Sequence, residues 1–101
     1  MSRIEERLGE MGVTLPTLPA PLANYVPAKR AGHLVFTAGQ VSAGVGRAYK
    51  GKLGATLSVE EGQAATRACV INCLAALKGV IGSLDHLKQI VAVHGLVNST
   101  Q

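Results

Sequence analysis

The sequence predicts an α+β fold in one domain, with a small antiparallel sheet packed on one long helix. Two neighbouring stretches, residues 25–30 and Gly32–Gln40, have the features of strands, and Ala31–Gly32 joins them as a hairpin turn would. A longer run, Val59–Ile81, carries apolar side chains at the spacing of an amphipathic helix. A hairpin alone is only marginally stable in water, so we expect this helix to cover one of its faces.

A third strand is predicted at Lys88–Val97. Both of its faces are mostly apolar: one carries Ile90, Ala92, His94 and Leu96, and the other carries Val91, Val93 and Val97. Strands of this kind are usually covered on both sides. The main helix can cover only one side, so we expect a second copy of the chain to cover the other, in a homo-oligomer.

Composition limits the classes of protein to which the chain can belong. It has 101 residues, of which 48% are hydrophobic and 3% aromatic, and a formal net charge of +4. The low aromatic content argues against a surface on which nucleic-acid bases stack. The ten lysines and arginines are spread along the chain, which predicts at most weak, salt-sensitive binding to phosphates. We find neither a signal peptide nor a membrane-spanning run, and we expect a cytoplasmic protein.

Residues 1–23 are predicted to form an amino-terminal helix and a proline-rich arm, and residues 24–97 the hairpin, main helix and following strand. Ser2 and Glu5 fit a capping box, and Gly12 is placed to end the first helix. The apolar stripe of that helix consists of Ile4, Leu8 and Met11. All four prolines lie between residues 14 and 27, which favours an extended arm.

The second strand of the hairpin has a period of two. Leu34 and Phe36 alternate with Val35 and Thr37, which predicts a strand with one well-buried face. The following residues, 42–54, are rich in glycine and read as a loop, in which a short strand around Ala48–Lys50 is a weak prediction.

The main helix has the clearest boundaries in the chain. Ser58 and Glu61 form a second capping box, and Gly82 is placed to end the helix. Ile71 is assigned to the polar face, as its one apolar member, and Asp85 to a local cap in the turn that follows. The predicted apolar stripe consists of Thr66, Val70, Cys73, Leu74, Leu77, Val80 and Ile81.

Spacing alone shows no catalytic constellation. The three histidines have no metal-ligand spacing with one another or with the cysteines, so we expect no metal site and no cofactor. Residues 46–52 match the start of a phosphate-binding loop, but Leu53 stands where a serine or threonine should hold magnesium. Cys69 and Cys73 lie four residues apart on one helix and are interpreted as buried reduced thiols.

The order and spacing of several segments resemble the Rid family, also called YjgF. The segments are Tyr25-Val26, Gly32–Val41, the helix with Gln63, Ala64, Ala76 and Leu77, and Leu87–Val97. The resemblance implies a chorismate mutase-like fold and a homotrimer with ligand clefts between subunits. It also implies hydrolysis of reactive enamines and imines, such as 2-aminoacrylate, to ketoacids and ammonia. Some members have been described as endoribonucleases or translation inhibitors.

The family motif assigns a small imino- or ketoacid ligand to Tyr25, Thr37, Gly39 and Gln40, and it leaves the catalytic residues unknown. Ala38 stands where the deaminase pattern usually has serine. The family's arginine segment, which would hold the substrate carboxylate bidentately, has no counterpart before Gln101. We therefore expect the fold to be incomplete at its carboxy end and the chain as given to be a poor deaminase.

Three functions remain open at this point. The first is an imine deaminase, the second a non-catalytic member that binds a small ligand, and the third an RNA-binding protein or endoribonuclease. Turnover separates the first from the second, and salt-dependent RNA binding identifies the third.

Overall fold

The structure, a computed structural model, describes residues 3–17, 26–42 and 49–100. The predicted α+β arrangement is confirmed, since a two-stranded antiparallel sheet packs on a long helix. The elements in chain order are helix α1 (Arg3–Glu10), strands β1 (Ala28–Ala31) and β2 (Leu34–Thr37), helix α2 (Val59–Ile81) and a 3₁₀ turn (Leu84–His86).

Strands β1 and β2 form the predicted hairpin. The pairs run from Ala31 opposite Leu34 at the turn to Ala28 opposite Thr37 at the open end. Gly32 has a φ of 61°, the conformation that a type II′ turn requires at its first central residue. The turn thus lies one residue later than predicted, at residues 32 and 33, and β2 is correspondingly shorter.

The two faces of β2 differ in their cover. Val35 and Thr37 are half-buried, whereas Leu34 is exposed and Phe36 is 61% exposed. Alternate side chains of a strand point to opposite faces, and α2 lies on only one of them. The strand therefore has a half-buried face, with Val35 and Thr37, where a well-buried face is predicted. Its two largest side chains, Leu34 and Phe36, lie on the exposed face.

Helix α2 begins and ends as predicted. The Ser58 hydroxyl accepts a hydrogen bond from the Glu61 backbone N–H at 3.1 Å, and the Glu61 carboxylate accepts one from the Ser58 N–H at 3.0 Å. This reciprocal pair satisfies two donors that the first turn of a helix leaves open. Gly82 closes the helix with a φ of 80°, and its N–H donates to the Lys78 carbonyl at 2.8 Å.

The buried face of α2 differs from the predicted stripe. The buried residues are Ala68, Ile71, Asn72, Ala76 and Leu77. Ile71, assigned to the polar face, is therefore in the core, while Val70 and Val80 are exposed. Two of the five buried residues, Ala68 and Ala76, are small and are absent from the predicted stripe. Hydrophobicity alone favours valine over alanine and does not predict their burial.

By length and composition alone, α2 could also cross a membrane, since it is long and predominantly apolar. The core helix of a water-soluble protein meets the same criteria. Here 28% of the apolar window of α2 is buried, and α2 contacts both strands of the hairpin and the 3₁₀ turn.

Helix α1 is capped from the other end of the chain. The Asp85 carboxylate accepts hydrogen bonds from the backbone N–H of Arg3 at 2.8 Å and of Ile4 at 3.0 Å. A salt bridge of 3.0 Å between Glu5 and Lys78 joins α1 to α2. The local role predicted for Asp85 is therefore wrong, and Ser83 caps the 3₁₀ turn instead. Of the other predicted capping box, Ser2 lies outside the described residues.

Two predicted strands are not formed. Residues 49 and 50 are not in a strand, and the rest of the weakly predicted Ala48–Lys50 strand lies outside the described residues. Lys88–Val97 pairs with no other strand in the described parts of the chain, and the side chains of residues 88–97 are all exposed. Backbone pairing appears only beyond it, where Leu53 bridges Ser99. A strand needs a neighbouring edge for its backbone groups, and no described residue offers one here.

Candidate functional site

The predicted ligand residues lie where the chain leaves β2, in residues Thr37–Val41, which we call the β2-exit segment. Its two ends are tied to consecutive residues of α2. The Thr37 hydroxyl lies 4.0 Å from Cys73 Sγ, within hydrogen-bond reach of sulfur. The Asn72 side chain donates from Nδ2 to the Val41 carbonyl at 2.8 Å. Helix α2 therefore sets the path of this segment.

Between these anchors the backbone is open. Gly39 is exposed, and a Cβ built on it would meet no heavy atom within 4 Å. The backbone N–H groups of Gly39 and Gln40 donate to no acceptor among the described residues. The Ala38 N–H, by contrast, donates to the Pro27 carbonyl at 2.8 Å and extends the hairpin by one bond. The segment thus presents two adjacent backbone donors beside a residue without a side chain.

The structure groups three of the four predicted ligand residues. Thr37, Gly39 and Gln40 share the β2-exit segment, where the Gln40 amide lies 3.5 Å from the Ala38 carbonyl. Tyr25 lies outside the described residues. Ligand binding by these residues stays a prediction.

Sequence reasoning missed Asn72 as part of this region. The residue stands within the apolar run from Ile71 to Leu74, and a lone amide in such a run is a signal that could have drawn attention to it. Cys73 was assigned to the apolar stripe, with no link to Thr37.

The two cysteines next to the segment are free and half-buried. Burial raises the pKa of the Cys69 thiol above its ordinary value, and the neighbouring Cys73 raises it further. A thiol with a raised pKa is protonated at neutral pH, and only the thiolate is a good nucleophile. Cys69 is therefore unsuited to covalent catalysis.

The described arginines form no hydrogen bond with the β2-exit segment. Arg30 donates to the Gly32 carbonyl at 2.9 Å, at the opposite end of the hairpin from Thr37. Arg67 lies 3.5 Å from the Met11 carbonyl and lines a groove of about 420 Å³ beside α2. A second groove, of about 510 Å³, lies near the carboxy end of α2. Neither groove is lined by Thr37, Gly39 or Gln40, the three predicted ligand residues that the structure describes.

Within the described ranges, no group of three or more histidine, cysteine, aspartate or glutamate side chains could hold a metal ion. Lys50 and Lys52 are exposed beside the glycine-rich loop. Residues 46–48 of the phosphate-loop-like stretch, with Arg47, lie outside the described residues.

Comparison with known proteins shows the family. Residues 5–101 match the family described as "YjgF/chorismate mutase-like, putative endoribonuclease". Protein TCP17 of Trypanosoma cruzi is 37% identical over 99 residues, which are 97% of this chain and 62% of that protein.

Two solved structures are also similar. The crystal structure of a "putative endoribonuclease" from Shewanella oneidensis has a TM-score of 0.78 and 41% identity, over 85% of this chain and 58% of that one. Atu1372 from Agrobacterium tumefaciens, a protein of unknown function, has a TM-score of 0.65 and 36% identity, over 78% of this chain and 46% of that one.

The chain spans about three-fifths of the length of the first two of these relatives. The family match covers nearly all of the chain, and the folds agree over most of it. The chain belongs to the YjgF/chorismate mutase-like family.

Proposed function

We propose that the protein hydrolyses reactive enamines and imines to ketoacids, with the β2-exit segment as part of the binding site for a small imino acid. The observation that carries the proposal is the open backbone at Gly39 and Gln40, whose two N–H groups have no acceptor in the described structure. Membership of the family supports it.

The proposed reaction needs no cofactor. An enamine such as 2-aminoacrylate tautomerises to its imine, and the oxygen of water adds to the imine carbon. The resulting carbinolamine loses ammonia, which leaves the ketoacid. Binding has to hold the substrate's negative charge and leave room for the water. Adjacent backbone N–H groups bind an anion well in a conformation that points both of them at it, because such dipoles need no reorganisation.

Gly39 contributes to the proposed binding site because it has no side chain. A side chain there would project into the space through which a ligand approaches the two N–H groups. Its surroundings are empty, and its φ is not positive, so the folded chain itself does not require glycine at this position. We infer that a ligand does.

The test is a coupled assay that generates 2-aminoacrylate and follows pyruvate and ammonia, with the protein in the length in which cells make it. We expect the wild type to accelerate hydrolysis and Gly39→Val to reduce kcat/KM at least tenfold. Lys29→Ala, an exposed change on β1, is the matched control and should leave the rate unchanged. Binding of pyruvate without turnover would point to a non-catalytic ligand-binding protein, and neither binding nor turnover would overturn the proposal.

RNA binding is a second candidate, favoured by the exposed Lys50 and Lys52 and by the description of the family and of the Shewanella relative. Binding to phosphates through these lysines should fall steeply with salt, and Lys50→Ala with Lys52→Ala should flatten that dependence. Lys88→Ala, a distant exposed lysine, is the control. No binding to single-stranded RNA at about 50 mM salt would exclude this candidate.

A further inference from the structure

Asn72 is the most deeply buried polar side chain in the described part of α2. It is 3% exposed, and its amide Nδ2 donates to the Val41 carbonyl at 2.8 Å, 31 residues away in sequence. The surrounding buried residues of the helix are alanine, isoleucine and leucine. A polar residue in this environment has to be explained, because burying an amide costs free energy that an apolar residue would not.

Stability alone is a weak explanation for Asn72. A buried hydrogen bond contributes on the order of 1 kcal/mol net, and replacing both of its partners by apolar groups of the same shape can be nearly neutral. A directional bond to one carbonyl does something that apolar contacts cannot do, since it selects one position of the bonded backbone. The bonded carbonyl belongs to Val41, directly after Gln40.

The second anchor lies beside the first. Cys73 follows Asn72 on α2, and its sulfur is the partner of the Thr37 hydroxyl. The two helix residues therefore hold both ends of the segment that carries Gly39 and Gln40. Of the two anchors, the Asn72 bond is the shorter and more strongly directional, since sulfur is a weak acceptor.

We propose that Asn72 is a positioning residue for ligand binding, which orients the backbone donors of Gly39 and Gln40 through its bond to the Val41 carbonyl. This inference rests on the proposed function for the identity of the ligand, but the ordering of the segment can be measured without one. Asn72 itself does not contact the ligand, so its loss changes affinity through the geometry of the segment.

The main test compares Asn72→Leu with Asn98→Ala. Asn98 is a matched control, because its side-chain amide also faces a backbone carbonyl, that of Gly51 at 3.4 Å, but on an exposed loop. We expect Asn72→Leu to lower the backbone NMR order parameters of Gly39 and Gln40 from about 0.85 to below about 0.6. Pyruvate binding, followed by NMR titration, should weaken at least tenfold. The control should change neither.

A second variant, Asn72→Asp, separates positioning from a general loss of stability. An ionised carboxylate cannot donate to the Val41 carbonyl, whereas a protonated carboxyl can. We therefore expect pyruvate binding by this variant to be weak at neutral pH and to recover as the pH falls through the pKa of the new carboxyl, with no such step in the wild type. This profile also decides the matter if Asn72→Leu fails to fold.

Wild-type order parameters at Gly39 and Gln40 in Asn72→Leu, or an Asn72→Asp variant whose segment is equally ordered at all pH values, would overturn the inference. If the wild type binds no pyruvate, the proposed function fails. The order parameters of Gly39 and Gln40 then still decide whether Asn72 positions the segment.

Discussion

Residues 34–41 and 90–97 are two extended, largely apolar stretches of equal length with different fates. The first pairs with β1 and is tied to α2 at Thr37 and Val41. The second has Val93 78% exposed and Leu96 fully exposed, and it pairs with no other strand among the described residues.

The comparison shows that an extended apolar segment becomes a strand only where other groups accept and donate hydrogen bonds to its backbone. β-propensity measures how well side chains fit a sheet that already exists. Residues 34–41 have β1 one turn away and α2 beneath them. Residues 90–97 follow the 3₁₀ turn, and within the described structure their first backbone pairing lies beyond them, at Leu53.

The largest expected effect is a difference in stability between two leucine-to-alanine variants, one just before residues 90–97 and one within them. Leu84 is completely buried just before the second stretch, whereas Leu96 is fully exposed within it. We expect Leu84→Ala to lower the free energy of unfolding by about 2–5 kcal/mol and Leu96→Ala to change it by less than about 0.5 kcal/mol. Urea denaturation measures both, and equal losses would show that the second stretch is buried in solution.

Two glycines with equally open surroundings give the next largest difference. Gly82 closes α2 with a φ of 80°, whereas Gly39 has no positive φ, and neither would place a Cβ within 4 Å of another atom. Gly82→Ala should cost about 1–3 kcal/mol in backbone strain. Gly39→Ala should leave stability within about 0.5 kcal/mol of the wild type and weaken only ligand binding. A large loss of stability from Gly39→Ala would show that the fold itself requires this glycine.

The exposed second stretch should matter more for assembly than for stability. We propose that it pairs with a second copy of the chain in a homo-oligomer, because its apolar faces are uncovered and Phe36 is exposed as well. Val93→Lys should then shift light scattering toward the monomer, while Lys88→Ala, a change at an exposed residue just before the stretch, should not. A wild type that is monomeric at micromolar concentration would contradict this proposal.

The smallest effect is a pH dependence of stability that arises from the Cys69 thiol on α2. The pKa of Cys69 is raised in the folded chain, mainly by burial, so the folded state holds that proton more tightly than the unfolded state. The contribution of this proton to the free energy of unfolding is fully present below pH 9.0, the pKa of the thiol in the unfolded chain. It is lost as the pH rises through the higher pKa of the folded chain. The urea midpoint should therefore fall above about pH 9, and less so in Cys69→Ser. An identical decline in both proteins would exclude Cys69 as its cause.

Local patterns predicted the elements whose causes are themselves local. Ser58 and Glu61 lie three residues apart, and Gly82 needs only its own backbone freedom, so the boundaries of α2 could be read directly. The hairpin followed from Gly32 and the alternation after it. The motif places the predicted ligand residues Thr37, Gly39 and Gln40 together, because they are neighbours in the chain.

Tertiary structure decided what depends on distant partners. Which face of α2 is buried depends on the elements that pack on it, the hairpin and the 3₁₀ turn, and Ile71 is in the core whereas Val70 is exposed. Asp85 caps a helix 82 residues away, and Asn72 holds a carbonyl 31 residues away. Residues 90–97 can form a strand only beside the free edge of another strand, and their own sequence does not determine whether one lies there. The pattern of side chains along the sequence shows which local structure each segment favours. The buried face of a helix, a long-range hydrogen bond and the pairing of a strand depend instead on which distant groups the fold places next to that segment.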